Sequence, residues 1–487
     1  MATLYGASGI AGTFDSILKE FYIGPVQEQL NNEVFALEMF EKAVVDWNGK
    51  HAIIPVHTVR NTGVDFMGDG ASLADAVAQT YKSLTVKAKF LYGQFSVTGP
   101  AISAAKKGSS NSFISYVDAE MTTLVSDVRD TANQAAVSGG RVKGFISQRS
   151  DADPNPTWAS TGGTIANGAE VNIAGVLFDG DFTPFTGCTT SGDLATVQEP
   201  TWIEVDLINT ATGLSIGATE DVFYVCDGLT SGYGEVAGKI KIGRGAVAGG
   251  GTAAALTLST AVDNPHCVAV VLKDTLTVAN TGKVLTASSK VGAVAGDSTA
   301  SDQITGIYGN LADPSHFGIT RTSAANTALM STVQTVDTGD DVTARADLTV
   351  KRMQQMFDEC LANSGDEPDA ILMHPLQRSI YVGLLGGTFQ VNPSGGSGKG
   401  SAGFTGLEFN GIPIHTSRHV SNGMVIFLSK ASWKLCELET GGFADLDGNV
   451  LSRDAGKDSY TGYYRWYWNL VCTKPGSNAI LCGSNLS

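Results

Sequence analysis

The sequence predicts an α+β chain that carries an inserted all-β module. Three observations predict it. One long amphipathic helix stands alone at 111–136. Short β runs fill 150–302, where most of the negative charge also collects. A second α/β stretch follows and ends in an aromatic strand.

The 487 residues exceed one ordinary core, and roughly 150 residues per domain gives about three units. The chain is 43% hydrophobic, so disorder is excluded as its general state. Charged residues reach only 16%, against roughly 25% in a typical soluble domain, and glycine is frequent at 58 residues. This profile suits extended, turn-rich structure whose surface is covered by neighbours. The net charge of −16 argues against a dedicated nucleic-acid binder, which needs a basic footprint. Residues 150–302 hold 17 acidic and 6 basic side chains, and so form a candidate module of their own.

No basic, apolar leader opens the sequence, so no signal peptide is expected. No apolar run approaches the roughly 18 residues of a membrane span. The seven cysteines (188, 226, 267, 360, 436, 472 and 482) are scattered without a CxxC pair. They read as reduced, buried thiols of a protein made in a cytoplasm.

The elements follow in order. After Gly24-Pro25, Val26, Leu30, Val34, Leu37 and Phe40 keep helical spacing. Residues 51–59 and 82–98 form two arms of a β-ribbon, with Leu84, Val86, Ala88 and Phe90 alternating against polar residues. Two strands alone are marginal in water, so a neighbouring surface should cover this ribbon. In helix 111–136, Phe113, Val117, Met121, Leu124, Val128, Ala132 and Ala135 share a face. Ser110 or Asn111 can cap its start, and Gly139-Gly140 ends it. The β runs of 150–302 predict a barrel or sandwich. Helix 344–364 turns Leu348, Met353, Met356, Phe357, Cys360 and Leu361 to a core. A strand at 371–375, a helix from Leu376, a Gly-rich loop at 386–404 and strands at GIPIHTS and GMVIFLS follow. A long aromatic strand through Tyr464, Trp466 and Trp468 leads to a short closing strand.

The short motifs do not build chemistry. GLSIG (213–217) has the spacing of a nucleophile elbow, but strand-like residues flank it on both sides, so Ser215 reads as a loop residue. GGSGKG (395–400) fails the phosphate-loop pattern twice. ADLDGN (444–449) has its glycine too early for a calcium loop and reads as a hairpin turn. His415 and His419 lie on strand and loop, where they share no helical face. No catalytic constellation, cofactor site or metal site is expected, and the chain does not read as an enzyme.

The order of elements resembles the major capsid protein of tailed bacteriophages, the Hong Kong 97-type fold. Three segments carry the resemblance. They are 82–136 with VTGPAIS between ribbon and helix, 302–385 with DQITGIYGNLADPSHFGITRTS and DAILMHPLQRSIYVGLL, and 407–438 followed by YRWYWNLVCTKPGSNAILCG. About 330 residues are covered, leaving out 150–302. The resemblance implies an N-terminal arm (1–49), an E-loop (50–98) lying over a neighbouring subunit, and a P-domain (99–149, completed by 435–487) with helix 111–136 as its spine. It also implies an inserted β domain (150–302) and an A-domain (303–434). Candidate inter-subunit contacts are Leu84, Val86, Phe90, Tyr92, Lys87 and Lys89, and the candidate capsomer-axis loop holds Gly395, Gly396, Lys399 and Gly400. Some relatives crosslink an E-loop lysine to a neighbour's asparagine, and Lys82, Lys87 and Lys89 stand in that region. The implied partners are further copies in hexamers and pentamers, a portal, a scaffold or decoration protein, and packaged double-stranded DNA held by weak non-specific contact, with no membrane. The implied location is the virion, assembled in the host cytoplasm. Two rivals stand beside this reading: an encapsulin-type compartment, and a secreted β-rich adhesin or hydrolase.

Overall fold

In the computed structural model, alternation in the ribbon sequence becomes a two-faced hairpin. Strand β1 (His51–Val59) pairs antiparallel with β2 (Thr80–Lys87), from His51 opposite Lys87 to Val56 opposite Lys82. The structure describes 37–61 and 63–100 with gaps, 110–149, separate strands and turns within 164–285, 303–336 without 323, 348–385, 407–445 without 422, and 451–482 without 454–455.

The second arm is not one strand. It stops at Ala88, whose N–H donates to Lys50 O (3.1 Å), and restarts as β3 (Lys89–Thr98). The break moves the buried phase by one residue. Leu84, Val86 and Ala88 face inward, Phe90 turns outward, and Gly93, Phe95 and Val97 resume the buried side. A one-residue shift in a period-two structure exchanges the two faces.

Helix α1 (Ser110–Ser138) extends the expected helix at both ends, so Ser110 and Asn111 lie inside it rather than before it. Its end is as expected: Gly139 N–H donates to Ala135 O (2.8 Å) and Gly140 takes φ 84°, where a side chain would be strained.

Six strands follow: β4 (Val142–Arg149), β5 (Ala169–Gly175), β6 (Trp202–Asn209), β7 (Phe223–Asp227), β8 (Lys239–Arg244) and β9 (Val268–Leu272). They pair in the order β7-β8-β5-β4-β9-β6, and β6 pairs back with β7, which closes the row into a ring. Its polypeptide begins at Val142, before the acidic stretch. The GLSIG motif sits in a tight turn after β6, where Ile216 N–H donates to Leu207 O (2.9 Å) and Ser215 bridges Ile208. Among the described residues of the motif, 213–216, Ser215 sits on an isolated strand bridge and not at the head of a helix.

The longer elements that follow are α2 (Ile307–Ala312), β10 (Thr332–Thr335), α3 (Val350–Ser364), β11 (Ala370–Met373), α4 (Pro375–Leu385), β12 (Ile412–Thr416), β13 (Val425–Leu428), β14 (Trp433–Phe443), β15 (Ser459–Cys472) and β16 (Ala479–Cys482). A sheet forms in the order β10-β16-β13-β11-β12, edged by 408–409. The Asn410-Gly411 turn before β12 has both residues at positive φ (51° and 76°), as a two-residue hairpin requires. Helix α3 begins only at Val350, because Thr349 caps it by accepting from Arg352 N–H, and Gly365 ends it at φ 75°. Leu348, Met353, Met356, Phe357 and Cys360 are buried as expected, but Leu361 is exposed. At 3.6 residues per turn Leu361 lies about 80° round from Met353, off the buried stripe.

The chain divides into two compact units. The first comprises Met1–Val34, Leu91–Asp130 and Thr440–Trp466. Within it, a Cβ at Gly93 would stand 2.7 Å from Val128 Cγ2, so the strand backbone lies directly on the helix. Phe95, Phe443 and Tyr464 stack edge to face, with Phe443 and Tyr464 centroids 5.3 Å apart.

The second unit comprises Phe35–Phe90, Thr131–Glu439 and Tyr467–Ser487. Its main core lies between α3 and the six-strand sheet, around Met353, Met356, Phe357, Ile371, Phe427 and Leu481. Gly306 makes a close backbone crossing possible. A Cβ there would meet Ala135 O at 2.6 Å, Gly139 N at 2.7 Å and Val137 O at 2.9 Å.

Candidate assembly surface

The ribbon separates its residues by face. Ala52, Ile54 and Val56 on β1 and Leu84 and Val86 on β2 are buried together with Ile319, Leu329, Cys436 and Val471. The other face holds His51, Ile53, Pro55, His57, Tyr81, Ser83, Thr85 and Lys87, all exposed. Cross-strand neighbours on this face are Ile53 with Thr85, Pro55 with Ser83, and His57 with Tyr81, whose rings lie 5.0 Å apart.

The loop beyond the ribbon exposes more apolar surface. Phe66 is 101% exposed and Val64 82%. Leaving a phenylalanine in water forfeits about 1.5–3 kcal/mol of burial. Ile53, Val64, Phe66 and Tyr81 are each left uncovered by the single chain. Ile53 and Tyr81 lie on the ribbon's outer face among polar residues, and Val64 and Phe66 lie in the loop beyond it.

Of the expected contact residues, Leu84 and Val86 spend their side chains on the chain's own core. Lys87 is exposed, and Lys89 is partly buried. Phe90 is exposed beside Tyr467, with centroids 4.9 Å apart, and Lys50 Nζ stands 5.5 Å from its ring centre. Tyr92 is exposed. The structure thus separates these residues by face and does not gather them in one patch. Gly395, Gly396, Lys399 and Gly400 lie outside the described residues, as do the rest of the Gly-rich loop and most of ADLDGN. Sequence reasoning missed Phe66 and Tyr81. The signal was present: Val64, Phe66 and Met67 interrupt a glycine-rich tip, and Tyr81 occupies the polar phase of β2.

A buried polar cluster supports the ribbon's inner face. A hairpin at 315–320 turns through Phe317 (φ 45°) and Gly318 (φ 90°), and Phe317 O accepts from Thr85 N–H (3.1 Å). Beside it, His316 and Arg321 are fully enclosed. Arg321 donates to Leu311 O, to Asn310 O and to His316 Nδ1 (2.8 Å). His316 Nε2 lies 2.8 Å from Cys472 O, which can only accept, so Nε2 carries the proton. Burial, and then the Arg321 charge, hold His316 well below the usual histidine range. Burial lowers Arg321 to about 10, partly opposed by Asp313. A neutral imidazole between a guanidinium and a carbonyl is a clamp, with no free basic atom for proton transfer.

His415 lies on β12 and His419 beyond it in a turn. Among the described residues no three His, Cys, Asp or Glu side chains gather as a metal site, and no helix is long and apolar enough to cross a membrane.

No protein-family model matches the chain, and no curated protein matches it. Solved structures do. A chain of the Cyanophage A-1(L) capsid asymmetric unit is 9% identical, with TM-score 0.50 over 95% of this chain and 96% of that one. This chain has a phage-capsid-like fold. The capsid of the native GTA particle matches at TM-score 0.42 with 9% identity, covering 100% of both chains. A Mycobacterium phage Bobi chain matches at 0.41 with 9% identity, covering 98% of both. The cyanophage chain alone fixes the capsid-like fold, and it does so over nearly the whole polypeptide.

Proposed function

We propose that this chain is a major capsid protein of the Hong Kong 97 type, which assembles into hexamers and pentamers of a closed head around double-stranded DNA. The observation that carries the reading is the fold likeness to a capsid chain over 95% of the residues. The exposed Ile53 and Tyr81 on the ribbon's outer face add to it.

Each segment then has a task. Residues 1–49 are the arm and 50–98 the E-loop, whose outer face covers the next subunit. Helix 110–138 is the spine of the P-domain, with 435–487 completing it. The ring of strands, which begins at Val142 and continues within 150–302, is the inserted barrel, and 303–434 is the A-domain with 386–404 at the capsomer axis. Mechanism here means geometry. Each subunit lays its ribbon on the next in a head-to-tail contact, and such contacts close into rings. The portal, scaffold and decoration partners follow the same reading. The acidic stretch repels packaged DNA and faces outward; a reconstruction with 150–302 in the lumen refutes that placement.

The test is electron microscopy of the purified chain expressed alone, with nuclease protection on native particles. Rings, tubes or closed shells support the reading, and protected nucleic acid separates a virus from an enzyme-filled compartment. A stable monomer that no co-expressed scaffold converts to shells overturns it.

A further inference from the structure

Two cysteines far apart in sequence meet inside the second unit. Cys267 stands just before β9, in the ring of strands, and Cys482 ends β16, in the α/β sheet. They are 215 positions apart, yet their sulfurs are 2.7 Å from one another, inside the reach of two unbonded sulfur atoms. Both residues are buried, at 1% and 0%.

The backbone at each site is held. Cys267 N–H donates to Thr210 Oγ1 (3.1 Å), and Cys267 O accepts from Thr210 N–H (3.1 Å). The Thr210 hydroxyl also reaches Val333 O (3.0 Å), the neighbour of Gln334 on β10. Cys482 is registered opposite Thr335, and its carbonyl accepts from Val336 N–H (2.8 Å). These bonds fix the two backbones from which the sulfurs project, and Cys482 Sγ also lies 3.4 Å from Gln334 O. Among the described residues the pair is not part of a group of three His, Cys, Asp or Glu side chains that could hold a metal ion.

We propose that Cys267 and Cys482 form an intrachain disulfide when the chain meets oxidising conditions, covalently tying the ring of strands to the α/β sheet. A small disulfide such as oxidised glutathione supplies the oxidant. One cysteine thiolate attacks a glutathione sulfur, breaking that S–S bond and releasing one glutathione thiolate. The second cysteine thiolate attacks the protein-side sulfur of the mixed disulfide. The Cys267–Cys482 bond forms and the second glutathione thiolate leaves. The two cysteine protons end on the two glutathione thiols, which carry the two electrons. Burial, with Cys482 beside it, pushes the Cys267 thiol well up, so the folded pair reacts slowly and the bond forms during folding or local opening. A crosslink across so long a loop restricts the unfolded chain strongly. The inference does not depend on the capsid reading.

The test refolds the full chain in a buffer of oxidised and reduced glutathione, blocks free thiols with N-ethylmaleimide, and maps peptides by mass spectrometry. The expected result is a Cys267–Cys482 linked peptide, two of the seven cysteines unblocked, and a thermal midpoint that rises by several degrees and falls back with dithiothreitol. Cys267→Ser and Cys482→Ser each remove the linked peptide and the rise, whereas Cys436→Ser keeps both. Seven blocked cysteines in the refolded wild type overturn the proposal, and so does a Cys267→Ser protein that still loses two thiols. If either serine variant fails to fold, the wild-type peptide map decides alone.

Discussion

The ribbon of β1 and β2 and the sheet of β10, β16, β13, β11 and β12 both bury apolar side chains and are finished differently. Every residue of β11, β13 and β16 is buried, so the sheet is covered on both faces within the chain. In β1 burial alternates strictly from His51 to His57, and one face stays in water. A sheet covered on both faces serves stability. A ribbon covered on one face, with Tyr81 outside, keeps its second face open to solvent. Five variants test this difference.

The largest effect is expected on the open face. Phe66→Asp with Tyr81→Asp should abolish assembly in sedimentation velocity, by 100-fold or more in assembled material. Surface changes of this kind leave stability within about 0.5 kcal/mol, so the urea midpoint should hold. Loss of folding in this variant would show that the face supports the chain itself.

Phe427→Ala in β13 should reverse the pattern. It removes a fully buried ring from the main core and should cost about 3–5 kcal/mol in urea unfolding. A cost below about 1 kcal/mol would mean that the sheet is not the stabilising core.

Gly306→Ala should cost about 1–3 kcal/mol, because its methyl would press on three backbone atoms that cannot rotate aside. Gly365→Ala, with open space around it, tests φ alone and separates crowding from strain.

The smallest effect concerns His316. Its folded pKa lies below the unfolded value of about 6.5, so the unfolded chain binds more protons as pH falls. The contribution is fully present above pH 6.5 and is lost as pH falls toward the folded pKa, at up to about 1.4 kcal/mol per pH unit. His316→Gln should flatten that slope in urea titrations between pH 7 and pH 5. An unchanged slope would place the acid sensitivity elsewhere.

Local physics was legible in the sequence and long-range placement was not. The helix at 110–138, its Gly139-Gly140 end, and the buried phase of Leu84 and Val86 follow from spacing and turn chemistry. Phe90 was misphased because nothing in KAKF signals the strand break at Ala88 that the structure shows. Leu361 was assigned to the core on hydrophobicity although its angle lies off the stripe. Arg352 was overlooked for the converse reason, since a buried guanidinium needs Thr335 O and Gln334 Oε1, which only the fold brings to it. His316 with Arg321 and Cys267 with Cys482 have no local signature at all. The ribbon was legible from its alternation, and the structure puts the phase that holds Leu84 in the chain's own core and the phase that holds Tyr81 on the open face.

The most direct measurement is sedimentation velocity on the wild-type chain beside the Phe66→Asp, Tyr81→Asp variant, at equal concentration. The account predicts megadalton species for the wild type and a folded, non-assembling variant. Equal sedimentation of the two proteins, whether both assemble or both remain monomers, would contradict the claim that the ribbon's open face joins one copy to the next.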